Sequence, residues 1–147
     1  MKDFLSIKEK ILSLRVFGVT HCFLESRTNN NAKKSLLEFG KKIGFTIEDD
    51  TLQEIERGQA LDILKLVLKQ DLYSEIMPEE QAEELARDFC DLFQKDAKFF
   101  TYASFGEIYS DKTALSTCTP ITKATLDDGV FIVDKKSVGC LWVEDED

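Results

Sequence analysis

His21 and Cys22 form the one place in this chain where an imidazole and a thiol are neighbours. A thiol becomes a nucleophile only with an activating base in reach. Adjacent side chains on a strand point to opposite faces, and adjacent positions on a helix do not face each other either. The pairing would therefore need a distant thiol, and Cys118 in the polar loop Thr117 to Pro120 is the candidate. Cys22, Cys90, Cys118 and Cys140 are separated by 68, 28 and 22 residues, unlike the close pairs of a zinc ribbon or a C-x-x-C redox site. They read as free thiols, with Cys90 and Cys140 packed as small hydrophobes.

Metal and phosphate chemistry is no better supplied. One histidine and scattered thiols do not make the usual zinc set. The carboxylate groups Glu48-Asp49-Asp50, Asp127-Asp128 and Glu144 to Asp147 do not follow the ligand order of a calcium loop. The first reads as the start of a helix, the second as a hairpin turn before Gly129, and the third as a charged chain end. Gly40 and Gly44, beside Lys41 and Lys42, match neither phosphate-binding glycine pattern and read as breaks at a helix end. A glycosidase-like carboxylate pair is defined by spatial separation. Among 28 acidic residues some pair always exists, so that signal carries no information. No catalytic residue, metal site or cofactor is assigned. The enzyme alternative is a small hydrolase using Cys118 or a carboxylate pair.

The distribution of charge is more informative. Residues 1–47 carry nine Lys and Arg against four Asp and Glu, residues 48–94 four against 14, and residues 95–147 six against ten. The segments thus hold +5, −10 and −4, within a net charge of −9. Such a field repels nucleic acid and anionic membranes and attracts basic protein surfaces over about one or two Debye lengths. Its densest part is the helix expected after Pro78, with Glu79, Glu80, Glu83, Glu84, Asp88 and Asp91 around its polar side. Like charges four apart destabilise a helix by roughly 0.2 to 0.5 kcal/mol per pair. Glu79 and Glu80 gain from the helix dipole, and Glu83 can pair with Arg87; the later carboxylates have no compensation within the helix. The bland reading is a solvated face, and the functional one is a surface prepared for Lys and Arg of a partner.

Apolar periodicity supplies the elements that would position these groups. Phe4, Ile7, Ile11 and Leu14 predict a helix over Asp3 to Arg15. Val16 to Glu25 fits a strand or a continued helix. Ala32 to Ile43 reads as a Lys-rich helix ended near Gly44, and Leu52 to Gly58 as a short helix capped by the preceding carboxylates and Thr51. Ala60 to Leu72 is the expected central helix, and Ala82, Leu85, Ala86, Phe89, Leu92 and Phe93 mark the helix that Pro78 starts.

Beyond Lys98, β-branched and aromatic residues predict strands over Phe99 to Ser104, Ile121 to Leu126, Gly129 to Asp134 and Ser137 to Glu144, with turns at Asp127-Asp128 and Lys135-Lys136. In the last two strands both alternating faces are apolar, which calls for a sheet covered on both sides. The expected class is α+β, an N-terminal helical part packed on a C-terminal antiparallel sheet or meander, in one domain spanning residues 1–147. With no signal-peptide pattern and no apolar run of membrane-spanning length, the expected compartment is the cytoplasm.

The expected function is a non-enzymatic acidic binding protein, an immunity-protein-like inhibitor that neutralises a basic protein partner such as a toxin nuclease. Its contact residues are Glu79, Glu80, Glu83, Glu84, Asp88 and Asp91 together with Glu144, Asp145, Glu146 and Asp147. The alternative within binding is a DNA mimic that blocks a nucleic-acid-binding protein. Neither nucleic acid nor membrane is an expected direct partner.

Overall fold

Strands with two apolar faces need a layer on each side, and the chain provides both. The computed structural model describes residues 3–15, 19–27, 30–45, 47, 52–69, 75–102 and 126–145. The elements in chain order are α1 (Phe4–Leu14), β1 (Val19–Ser26), α2 (Ala32–Lys42), β2 (Leu52–Ile55), α3 (Arg57–Lys69), α4 (Glu79–Cys90), β3 (Lys98–Tyr102), β4 (Leu126–Val133) and β5 (Ser137–Asp145). The five strands form one antiparallel sheet in the order β1-β5-β4-β3-β2. The class is α+β. The two edge strands, β1 and β2, come from the N-terminal half, so the sheet is shared between both halves of the chain.

Alternation along the strands sorts side chains into two cores. Cys22, Phe99, Val130, Ile132 and Leu141 pack with Ile7 and Ile11 of α1, Ile63, Leu64 and Leu68 of α3, and Leu85 and Phe89 of α4. Phe100, Phe131, Val133, Cys140 and Trp142 turn to the other side and meet Leu36 and Phe39 of α2 with Phe45. The expected double-sided sheet is therefore present, with α1, α3 and α4 on one face and α2 on the other.

Local signals set most helix ends. Asp3 Oδ1 accepts from Ser6 N–H at 2.8 Å and Asn31 Oδ1 from Lys34 N–H at 2.9 Å, as N-caps do. Gly44 follows α2 with φ +91°, a conformation that glycine adopts without a Cβ penalty. Glu56 N–H donates to Gln59 Oε1 at 2.9 Å, half of a capping box that opens α3 at Arg57.

Three local expectations are corrected. Leu52 to Ile55 is a strand, because it pairs along its whole length with Phe99 to Tyr102. Gly58 consequently sits in the first turn of α3 and does not end a helix. Asp127 and Asp128 lie within β4, which runs unbroken from Leu126 to Val133 against β5. There Asp128 is buried, and its carboxylate accepts the Gly129 N–H at 3.0 Å. Pro78 is the N-cap of α4 and not its first helical residue.

The Lys135-Lys136 turn is where the sequence puts it. Its inner support is Asp134, whose carboxylate accepts the N–H groups of Lys136, Ser137 and Gln94 at 2.7 to 2.8 Å. Of the expected strand Ile121 to Leu126, residues 121–125 lie outside the described residues, and Leu126 is the first residue of β4. Val16 to Glu25 resolves as the strand β1 from Val19 onward. No helix among the described residues is long and apolar enough to cross a membrane.

Candidate functional site

α3 and α4 form an antiparallel helical hairpin, and its charges follow from that arrangement. At one end, Lys69 and Lys65 Nζ lie 3.6 and 3.9 Å from Glu79 Oε1. At the other, Arg57 Nη2 lies 2.5 Å from Asp91 Oδ1, joining the start of α3 to the end of α4. Between them Arg87 Nη2 meets Glu83 Oε1 at 2.5 Å, one turn apart on α4. Residues 56–69 and 75–91 contain nine carboxylates and four Lys or Arg. Each of those cations lies beside Glu79, Glu83 or Asp91, and the hairpin as a whole stays strongly negative.

The geometry sorts the acidic helix into two roles. Glu79 and Asp91 pair across the hairpin at its two ends, so Asp91 has the compensation that helix spacing alone does not provide. Glu80 and Glu84 stand on the solvent side, and Asp88 is half-buried on the same helix. The opposite side of α4 supplies Ala82, Leu85, Ala86, Phe89 and Cys90 to the core. This amphipathic division fixes which carboxylates face outward.

The C-terminal acidic group sits elsewhere. Glu144 and Asp145 are part of β5; Glu146 and Asp147 lie outside the described residues. Glu144 is not a free terminal charge, because Oε2 is hydrogen-bonded to Nε2 of His21 on the adjacent strand β1. Both side chains are about 80% buried, with exposures of 20% and 19%. The imidazole also meets the Phe45 ring edge-on at 4.9 Å between centroids. This pair, 123 residues apart in sequence, had no local signal; the register that sets Thr20 opposite Val143 makes it.

The thiols are placed for packing. His21 and Cys22 turn to opposite faces of the sheet, His21 toward Phe45 and Cys22 into the core under α1. Burial pushes the Cys22 and Cys90 thiols up to about 12, and Cys140 well above the ordinary thiol range. All three are free and neutral near pH 7, the inert state of a thiol. Cys118 lies outside the described residues.

Two clefts open at one end of the sheet. One, of about 550 Å³, lies beside the start of α2 and is floored by Leu52, Phe100 and Val133. The other, of about 790 Å³, lies where β2 meets α3 and is floored by Ile55, Phe93 and Phe99. Glu54 and Lys98 border both. Acids and bases are mixed in both linings, so neither cleft selects a charge sign as the α3–α4 hairpin does. No group of three or more metal-binding side chains occurs among the described residues. No protein-family model matches this chain, and neither a curated protein nor a solved structure matches it.

Proposed function

We propose that this protein is a non-enzymatic binding protein that captures and neutralises a basic protein partner through the outward face of the α3–α4 hairpin. The immunity-protein-like inhibition of a toxin nuclease is the form of this activity that fits the charge best. One observation carries the reading: the α3–α4 hairpin holds nine carboxylates against four Lys or Arg, and Glu80 and Glu84 are exposed on its surface. A rigid helix with Glu80 and Glu84 on its solvent side presents that excess outward. Potential complementarity of this kind accelerates encounter and rejects acidic competitors.

The test is capture from extract of the native cell on immobilised wild type and on Glu80→Lys/Glu84→Lys, each at low and high salt. The expected result is a basic protein retained by the wild type and lost both with salt and with charge reversal. If that protein is a nuclease, adding the acidic protein should suppress its activity. Equal retention by both forms would contradict the proposal. A retained nucleic-acid-binding protein that duplex DNA displaces would select the DNA-mimic form instead.

A further inference from the structure

Leu5, Leu12 and Val19 are the large apolar side chains that stay exposed among the described residues, at 72%, 40% and 51%. All three belong to α1 and β1. These two elements border the same margin of the molecule, because β1 is the last described strand of the sheet on that side and α1 packs against it. Eight residues of β1 pair with β5 on one side, and no described strand pairs with the other. An open strand of that length is a template for another strand.

We infer that this margin pairs with the same margin of a second copy, β1 running antiparallel to β1 about a twofold axis and α1 packing on its counterpart. The residue pattern of α1 is self-complementary under that operation. Reversing the helix about the midpoint between Lys8 and Glu9 sets Leu5 opposite Leu12 of the second copy, and Lys8 opposite its Glu9. Both apolar ends are then covered and the centre is neutralised in both directions, as an isologous contact requires. Leu5 and Leu12 are seven residues apart, two turns or about 10 Å along one stripe of the helix.

The strand agrees with the helix. Lys8 Nζ lies 4.9 Å from the centroid of the Phe23 ring, so the middle of α1 is within a lysine's reach of the middle of β1. The proposed axis passes beside both. Centring the strands on Phe23 brings Cys22 opposite Leu24 of the second copy, apolar against apolar beneath the helices. Charge favours this margin as well. Residues 3–15 and 19–26 hold three Lys or Arg and three Asp or Glu; with Arg15 buried, Lys8 and Lys10 stand against Asp3, Glu9 and Glu25, a nearly balanced surface in a chain of net charge −9, which limits like-charge repulsion between copies. The pairing leaves Glu80 and Glu84 facing solvent.

Sedimentation equilibrium of the full chain from about 1 to 200 µM tests the inference, with an expected dissociation constant of about 1 to 50 µM. Leu5→Glu/Leu12→Glu alters two exposed positions, and should weaken the dimer at least about tenfold with an unchanged circular dichroism spectrum. Lys8→Glu should weaken it too, by placing carboxylates at the axis, and Lys8→Glu/Glu9→Lys should restore it. Amide exchange in β1 of the wild type should slow as concentration rises, a readout that needs no variant. A monomer at every concentration would overturn the inference. So would a dimer indifferent to Leu5→Glu/Leu12→Glu, or a charge swap no better than Lys8→Glu alone.

Discussion

Gly129 lies directly across from Trp142 in the β4–β5 pair, and the indole sits over the space a side chain would need. A Cβ built on Gly129 would fall 2.2 Å from Leu141 O and 2.7 Å from Trp142 Cα. Both obstacles are backbone and cannot rotate away. The φ of +156° adds strain for any other residue. Gly129→Ala is expected to cost about 2 to 4 kcal/mol in urea denaturation. Gly58, with no atom within 4 Å of its added Cβ, is the contrast; Gly58→Ala should stabilise α3 by up to about 0.5 to 1 kcal/mol.

Trp142 is fully buried, with Phe131 and Phe45 at 5.0 and 6.2 Å between ring centroids. Trp142→Ala removes the largest side chain of the α2-side core and leaves a cavity that a sheet cannot close. Denaturant titration should show a loss of about 3 to 5 kcal/mol.

Asp134 joins the β4–β5 turn to the segment after α4, because one carboxylate accepts N–H groups from both. Asp134→Ala leaves those donors without their acceptor. The expected cost is about 1 to 3 kcal/mol, with faster amide exchange at Gln94 and Ser137 as the local signature.

Burial keeps Cys22 and Cys90 protonated to about pH 12, whereas the same thiols in the unfolded chain ionise near pH 9. The unfolded state thus binds fewer protons above pH 9, and the stability contributed by the neutral thiols falls as pH rises from there toward 12. At pH 8, alkylation of these two thiols should require unfolding. Labelling by iodoacetamide followed by mass spectrometry checks this, with full modification in denaturant and little at Cys22 or Cys90 without it.

The reach of the sequence follows the range of the forces involved. α1, α2 and α4 are legible because caps and apolar periodicity act within a few residues, and the double-sided β4–β5 hairpin because both its faces are written in adjacent positions. Leu52 and Ile55 are three residues apart, a helical spacing, yet pairing with Phe99 and Tyr102 makes them a strand. Asp127-Asp128 resembles a turn by composition and is carried through β4 by its pairing with Val143 and Glu144. The acidic row of α4 is visible in sequence. Its division into carboxylates paired across the hairpin and outward ones is not, because Arg57 and Asp91 stand 34 residues apart.

The central claim is that the outward carboxylates of α4 attract a basic partner. The most direct measurement is the association rate of the captured partner with wild type and with Glu80→Lys/Glu84→Lys, from about 0.01 to 1 M ionic strength, where the Debye length shrinks from about 30 to 3 Å. The wild-type rate should fall at least about tenfold over that range, and the variant should start about tenfold slower with a shallower slope. Equal rates for the two proteins at low salt would contradict the account.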